Sequence, residues 1–435
     1  MPGADIAAFA YNNEEIAMLV SKRKKMLETS NKPIDIKYHN QKLLLSMFRQ
    51  AETLSITEIS QRAKLSKTTV AKVIGEFEAK GLVTAVGKGS STGVGGKKPE
   101  RFAFNPDSSH VIALMISQGK IHGALSDLGC NILRQREADC GSQMDYETAL
   151  REMADMVLGL LHDGAMQPEH LCGLVIGCEG VIDAENRVIR YTLQHSWNND
   201  APIGRDLARL LPFPVSIRIN NDVRLAGYAH LLNSPDQYET MVVISVNDAA
   251  GGCVVEAGDL VHGIHGFVGE FGHMTLEPYS DVKCRCGGYG CFEALVSPHV
   301  VIAAARKQYT DFPTSLLYAK MRDNQLELDD VFAAANEGDA FGRILLDRVI
   351  HYFSILIHNI ILLRDPTRIV IQGGYARAGE YFLSSLREKV AAMPFYKNQC
   401  SPIITYSSIN DFNPYISGAV QFGVDEYLHK NELYD

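Results

Sequence analysis

The feature that most restricts the fold of this chain is a cluster of cysteines in one short segment. Cys284, Cys286 and Cys291 lie within eight residues, and ten residues separate His273 from the first of them. One imidazole and three thiolates form a complete tetrahedral ligand set for Zn²⁺, and the glycines among the cysteines allow a tight loop. A fully ligated ion has no position for a catalytic water, so we predict a structural zinc. The alternative is three buried free cysteines beside an unrelated histidine.

Charge is divided unevenly along the 435 residues, whose net charge is −9. Residues 1–104 hold 17 Lys and Arg against 10 Asp and Glu, a net of +7, which leaves a net of −16 for the rest. A basic head on an acidic body is typical of a protein that binds nucleic acid through the head alone. Chance clustering of surface lysines is the alternative that charge by itself leaves open.

The composition excludes several classes of protein. Hydrophobic residues make up 46% and charged residues 21%, the balance of a globular protein rather than a disordered one. No uninterrupted apolar run approaches the length of a transmembrane helix, and the first residues lack the pattern of a signal peptide. We therefore expect a cytoplasmic protein of two or three domains that does not associate with membranes.

The head has the pattern of a winged helix-turn-helix. Apolar residues recur at helical spacing after Lys37, the sequence Ser55-Ile56-Thr57-Glu58 is a capping box that begins a second helix, and Ser66 caps a third that ends at Gly81. Two strands, 82–86 and 101–104, follow and are joined by a Gly- and Lys-rich loop. Three helices with a tight turn and a hairpin wing predict a DNA-binding domain over residues 37–104, preceded by an extension over 1–36.

The exposed side chains of the third helix and the wing are the candidate DNA contacts. The helix end would enter the major groove, where Lys and Thr reach bases and phosphates, and the wing lysines would contact the backbone. The predicted DNA-contacting residues are Ser66, Lys67, Thr68, Thr69, Lys72, Lys88, Lys97 and Lys98. A winged helix used only for protein–protein interaction is the alternative.

After residue 104, apolar strand runs alternate with helical stretches, which predicts an α/β body. The predicted strands are 111–116, 171–178, 215–220, 241–246 and 368–372. The predicted helices are 146–162, 222–232, 298–308 and 340–364. A body of this size predicts two lobes around a cleft: a first lobe over 105–235, and a second over 236–435 that carries the zinc loop and a C-terminal helix able to pack back on the first.

Polar residues cluster around two segments of the body. Asn221 and Asp222 follow a strand, where ligands bind in open α/β folds, although Asp222 as a simple helix cap is the alternative. Glu270 and His273 precede the cysteine loop and Glu293 follows it, so a metal in that loop would hold the three close together. Carboxylates, a carboxamide and an imidazole are the groups that hold sugar hydroxyls, although each carboxylate taken singly is more typical of a surface.

The segment GEFGHMTLEPYSDVKCRCGGYGCFEALVS resembles the signature of the ROK family of repressors, open reading frames and sugar kinases. NND before a helix and IVIQGG near the C-terminus resemble two further family positions, and the resemblance extends over residues 38–435. With a winged helix, the chain is similar to ROK repressors of the xylose and N-acetylglucosamine type. The resemblance implies an actin-like, two-lobed fold, a sugar in the cleft and a homodimer or homotetramer.

The resemblance also assigns roles to individual residues. It places Asn221, Asp222, Glu270, His273 and Glu293 on the family's sugar-contacting positions. His273 would then bind zinc through one nitrogen and face the sugar with the other.

The phosphate-binding loops depart from the family's kinases. Where the kinases have an Asp-Gly-Gly-Thr turn, this chain has the stretch 115–120, MISQGK; where they have Gly-Thr-Gly, it has Asn247-Asp248-Ala249. Asp248 would repel a triphosphate, and loss of the glycines removes close backbone approach. Gly373 and Gly374 remain where the kinases hold adenosine, although a tight turn also explains them.

We therefore predict a sugar-responsive DNA-binding repressor that is not an enzyme, has no catalytic residues, and associates with the nucleoid when bound to DNA. Its expected partners are operator DNA, a sugar or sugar phosphate, and further copies of the chain. Two alternatives remain: an ATP-dependent sugar kinase with an appended DNA-binding head, and a repressor controlled by a partner protein.

Overall fold

The computed structural model describes residues 33–88, 99–117, 119–141, 144–192, 197, 199–232, 234, 240–256, 259–395, 402–408, 414–430 and 433. The chain divides into two compact units, a head of Met1–Ser108 with Tyr427–Asp435 and a body of Ser109–Glu426. The division falls after Ser108, rather than after the predicted residue 104. It also groups residues 427–435 with the head, although the sequence placed them in the second lobe.

The described part of the head contains three helices, α1 (Pro33–Gln50), α2 (Ile56–Ala63) and α3 (Lys67–Ala79). Their apolar faces meet in a core of fully buried side chains that includes Leu44, Phe48, Ile59, Val70 and Phe77. Helix α1 begins four residues before the predicted start of the domain, and the other two begin as predicted.

Local capping fixes the two ends of the turn between α2 and α3. The Glu58 amide donates to Ser55 Oγ (3.3 Å) and the Ser55 amide donates to the Glu58 carboxylate (2.7 Å), so the capping box is confirmed. Lys64 ends α2 in the left-handed conformation (φ 55°), and the Thr69 amide donates to Ser66 Oγ (3.1 Å) at the start of α3. A helix-turn-helix results.

The wing consists of β2 (Val83–Lys88) and β3 (Glu100–Phe104), which pair antiparallel. A two-residue strand that the sequence did not predict, β1 (Leu54–Ser55), pairs with β3 and gives the order β1-β3-β2. The wing strands start or end one or two residues from the predicted bounds. Lys97 and Lys98 lie outside the described residues.

The first lobe contains a five-stranded sheet. Its strands are β4 (His110–Ser117), β5 (Lys120–Asp127), β6 (Ile132–Asp139), β7 (Leu171–Cys178) and β10 (Ile217–Asn221), in the order β10-β7-β4-β5-β6. Strands β4, β7 and β10 are parallel, so their carboxyl ends meet at one edge. Helices α4 (Tyr146–Asp163) and α5 (Ile203–Leu210) pack against the sheet, and a hairpin of β8 (Val181–Asp183) and β9 (Val188–Tyr191) follows β7.

The second lobe contains another five-stranded sheet, in the order β13-β12-β11-β14-β15. Its strands are β11 (Met241–Val246), β12 (Ala250–Glu256), β13 (Asp259–Leu260), β14 (Arg368–Gly373) and β15 (Ile403–Tyr406). The helices are α7 (Phe292–Val296), α8 (Pro298–Gln308), α9 (Tyr318–Arg322), α10 (Leu328–Glu337), α11 (Ala340–Arg364) and α12 (Gly379–Ala391). Strands β11, β14 and β15 are parallel, as the α/β pattern requires.

Helix α11 is the one described helix that is long and apolar enough, by length and composition, to cross a membrane. Its interior is interrupted by Arg343, Asp347 and Arg348, which is why the sequence shows no continuous apolar run. Phe353 of this helix is fully buried and packs edge-to-face on Phe292 and Phe382. The helix is therefore the core helix of the second lobe.

Two further helices complete the body, α6 (Asp222–Leu232) and α13 (Pro414–Leu428). A Cβ on Gly418 of α13 would lie 1.7 Å from the Leu225 carbonyl oxygen, so glycine is required for α13 to cross α6 so closely. One turn later, a Cβ on Gly423 would lie 2.7 Å from side-chain atoms of Val111 and Val175. The C-terminal helix thus packs on strands of the first lobe.

Candidate functional site

A cavity of about 940 Å³ lies between the two lobes of the body. This volume is near the upper end of the ~300–1,000 Å³ typical of small-molecule sites. The first lobe contributes the ends of β7 and β10, and the second contributes the β11–β12 turn, the loop after β13 and the start of α7. All five residues proposed from the family resemblance line this cavity, namely Asn221, Asp222, Glu270, His273 and Glu293.

Asn221 and Asp222 lie at the edge where the parallel strands of the first lobe end. Asn221 Nδ2 donates to the Gly180 carbonyl (3.1 Å), and Asn221 Oδ1 accepts from the Arg224 amide (3.2 Å). Asn221 therefore caps α6 and also fixes the loop after β7. Burial raises the pKa of Asp222 to about 6; the Val223 amide opposes this shift and Glu270 adds to it.

Glu270 is held at the cavity by a loop whose path requires glycine. Gly269 has φ +96°, and a Cβ there would lie 2.1 Å from the Gly252 carbonyl oxygen on β12. Arg224 fastens the same loop, because its Nη2 donates to the carbonyls of Gly266 and Val268. Burial raises the pKa of Glu270, while His273 and Arg224 partly offset the shift.

The four predicted metal ligands come together in the second lobe. The ligand atoms of His273, Cys284, Cys286 and Cys291 lie within 4.8 Å of one another. With Zn–S bonds of about 2.3 Å, sulfur atoms of a tetrahedral site lie about 3.8 Å apart. Cys286 Sγ is 3.8 Å from Cys291 Sγ, and Cys284 Sγ is 3.7 Å from His273 Nδ1. The cluster therefore has the dimensions of a metal site.

Without a positive charge, the buried thiols of the cluster remain protonated. Burial, with Cys284 adding to it, raises the pKa of Cys291 to about 12, so its thiolate forms near neutral pH only beside a positive charge. His273 turns Nδ1 toward the cysteines and also lines the cavity. The His-Cys cluster and the cavity thus share this residue.

Glu293 is more fully engaged by the protein than the sequence indicated. Its carboxylate accepts from Arg285 Nε (2.7 Å), Arg285 Nη2 (3.1 Å) and the Ala250 amide (2.8 Å). Arg285, between two of the cysteines, also donates to the Asp248 carbonyl (3.3 Å). Glu293 therefore joins the cysteine loop to the β11–β12 turn while lining the cavity.

Hydrogen bonds within the protein occupy the polar groups at the other end of the cavity, around the turn Asn247-Asp248-Ala249 that departs from the phosphate loop expected from the resemblance. Asn247 Oδ1 accepts from the backbone amide of Gly374 (2.9 Å), and the backbone amide of Asn247 donates to the Ala249 carbonyl (2.8 Å). Asn247 Nδ2 donates to Tyr415 Oη (3.1 Å). The amides of Gly374, Asn247 and Ala250 are thus all bonded within the protein.

The candidate DNA-contacting residues in the described part of the head are mainly exposed. Ser66, Lys67, Thr68, Lys72 and Lys88 are exposed, whereas Thr69 is half-buried. Thr69 Oγ1 also lies 2.8 Å from Ser66 Oγ, so these two hydroxyls bond to each other. Lys67, Thr68 and Lys72 are the side chains of α3 with the freest access to a nucleic acid.

Three further residues that line the cavity were not predicted from the sequence: Glu179, Arg224 and Arg285. Glu179 follows the apolar strand run 171–178 just as Asp222 follows another, so the same rule would have found it. Arg285 lies between two predicted ligands and was noticeable for that reason. Arg224 had no local signal, because its partners are backbone carbonyls about 40 residues away in sequence.

The chain thus has a winged helix-turn-helix head of the DNA-binding type. Its α/β body has two lobes with a cavity between them, which is the architecture of a sugar-kinase-like protein. The chain belongs to the ROK family, whose model matches residues 111–422. The model of the winged helix-turn-helix DNA-binding domain matches residues 39–84.

Relatives of both kinds, repressors and kinases, resemble this chain. The xylose repressor of Caldicellulosiruptor bescii is 24% identical over 86% of this chain and 93% of its own length. The glucokinase of Thermotoga maritima is 29% identical over 66% of this chain and 90% of its own. A solved ROK family transcriptional regulator, homologous to the Mlc protein of Escherichia coli, has a TM-score of 0.77 at 19% identity, over 92% of this chain and 99% of that one. The predicted family and fold are confirmed.

Proposed function

We propose that this protein is a sugar-responsive repressor of carbohydrate-utilisation genes, with operator DNA bound by the head and a sugar or sugar phosphate bound in the interlobe cavity. The observation that carries the proposal is a cavity that keeps five sugar-type polar residues while its phosphate end is closed by internal hydrogen bonds. Relatives named as repressors that match along most of the chain support it.

The sugar would be held by Asn221, Asp222, Glu270, His273 and Glu293, which come from both lobes. A ligand shifts a two-state equilibrium only by its differential affinity, and closure of the lobes supplies that difference by completing hydrogen bonds. In a homodimer or homotetramer, half-site spacing is a strict geometric requirement. We infer that the sugar releases the protein from DNA. The protein would be cytoplasmic, and it would associate with the nucleoid while it is bound to DNA.

A structural zinc held by His273, Cys284, Cys286 and Cys291 is part of the proposal. The distances between ligand atoms support it. The ion would fix the loop that carries Arg285 and, through it, Glu293. It has no role in chemistry, because the protein supplies all four ligands.

Replacing Lys67 and Lys72 together by Ala tests the DNA-binding role. Each phosphate contact that is lost should reduce the slope of log K against log salt concentration by about 0.9 in magnitude. We expect operator affinity to fall at least about tenfold at moderate salt, since charge neutralisation supplies much of the affinity. Titration by fluorescence anisotropy at several salt concentrations measures both effects, on a duplex selected by the full-length protein from a random library.

The double variant Lys307→Ala/Lys389→Ala is the matched control, because it removes two exposed charges from the body. It should bind DNA like the wild type. Equal weakening in the two variants, or full operator affinity in a chain without residues 1–104, would show that the head is not the DNA-binding element.

The second expectation is the absence of useful sugar kinase activity. Phosphoryl transfer needs positioned phosphates and neutralised charge, and typical kinases turn over about 1–100 times per second. Here the amides of Asn247, Ala250 and Gly374 are already bonded, and Asp248 adds negative charge. The turnover number in a coupled assay with Mg-ATP and a panel of hexoses and pentoses should stay below about 0.01 per second, far under that range. Turnover in the ordinary range would favour the kinase alternative.

A further inference from the structure

Glu179 is a cavity-lining carboxyl group that the protein leaves incompletely bonded. It directly follows β7, and because Cys178 pairs with Asn221 in the parallel register, it lies at the same sheet edge as Asp222. Its Oε2 is buried and has no hydrogen-bond partner among the described residues. An unpaired buried polar atom is destabilising, so a donor on a bound ligand would supply what the fold does not.

The charges that line the cavity disfavour an anionic ligand. Seven acidic side chains, one of them Glu179 itself, and three arginines line it. All three arginines are already engaged, Arg224 with backbone carbonyls of the loop after β13, Arg285 with Glu293, and Arg377 with Asp329. Recognition of a phosphate needs a free cation or free backbone amides. Among the described residues that line the cavity, no arginine is left over for that role.

The protonation of Glu179 is consistent with this excess of negative charge. Burial, with Asp222 adding to it, raises the pKa of Glu179 to about 8, whereas Arg285 lowers it. Near neutral pH the side chain is then mainly a carboxylic acid, which both donates and accepts hydrogen bonds. A sugar hydroxyl, which also does both, is its complement.

We propose that Glu179 is a sixth sugar-contacting residue of the cavity, and that the sugar it holds carries no phosphate group. This inference rests on the proposed function and makes it more specific, because it selects the free sugar over the sugar phosphate. The side chain hydrogen-bonds a hydroxyl, and the surrounding carboxylates repel a phosphate.

The test measures binding by calorimetry to the full-length protein. The probes are D-glucose, D-xylose and N-acetyl-D-glucosamine, each beside its terminal phosphate ester. For the sugar that binds the wild type, the ester should bind at least about tenfold more weakly, as like charges in a closed site require. Glu179→Met, which keeps the size and loses the hydrogen bonds, should weaken sugar binding at least about tenfold. Glu179→Gln, whose amide also donates and accepts, should restore binding to within about threefold.

Three results would overturn the inference. They are a phosphate ester that binds as tightly as its parent sugar, a Glu179→Met variant with wild-type affinity, and equal losses in the Met and Gln variants, which would indicate a structural role. Operator binding without sugar should be unchanged in both variants and reports intact folding. If no probe binds the wild type at all, the proposed function fails and this inference fails with it. If sugars bind and release DNA but the Glu179 variants bind them like the wild type, only this inference fails.

Discussion

Replacing Cys286 by Ser is expected to release the metal, lower the stability of the body and abolish the sugar response together. The metal content should fall from about one zinc per chain to less than about 0.2. The melting temperature should drop by at least about 5 °C, because the free energy of binding a structural metal contributes to the free energy of folding. Cys286 is the exposed member of the cluster, so its replacement causes little loss of packing and the effect reports the metal. Elemental analysis and thermal unfolding of protein purified without added zinc measure the two quantities.

Cys140→Ser is the matched control, because Cys140 is a half-buried cysteine of the first lobe that lies outside the cluster. It should keep the metal and most of the stability. The loss of sugar response follows from the contacts of the loop, since Arg285 connects it to Glu293 and to the β11–β12 turn. A Cys286→Ser protein that melts like the control, or a metal-free wild type with a full sugar response, would exclude a structural metal.

Replacing Asp222 by Ala is expected to give a repressor that binds its operator normally and ignores the sugar. Couplings between sites are typically about 1–3 kcal/mol, so the sugar should change the operator affinity of the wild type several-fold to a hundredfold. In the variant the change should be less than about twofold, because the sugar loses a half-buried partner at the start of α6. Operator titrations with and without the sugar found by thermal-shift screening measure the coupling.

Asp155→Ala is the control for this experiment, since Asp155 is exposed on α4 of the same lobe. Glu270→Ala provides an independent second variant from the other lobe and should behave like Asp222→Ala. If both cavity variants leave DNA at the same sugar concentration as the wild type, the cavity is not the sensor. Control by a partner protein would then be the better explanation.

Much of the secondary structure followed from local sequence signals. Four of the predicted helices have the observed bounds to within one residue, and β7 and β11 have them fully. The signals are short-range: Ser55 and Glu58 bond each other three residues apart, β7 is an apolar run, and β11 is one apart from Ser245. Strand β6 escaped prediction because it is an edge strand with mainly exposed, charged residues, so the apolar signal is absent.

The sequence by itself determined the His-Cys cluster that could hold a metal, the helix-turn-helix and the segments at whose ends Asn221 and Asp222 stand, because each depends on residues close together in the chain. Only the tertiary structure decided which groups share the cavity. The parallel register of β7 and β10 places Glu179 beside Asp222, and the return of the chain through β14 brings the Gly374 amide to Asn247. Strand order and register arise from packing between segments that are distant in the chain, 43 residues for Cys178 and Asn221 and 127 for Asn247 and Gly374, and no local pattern encodes them.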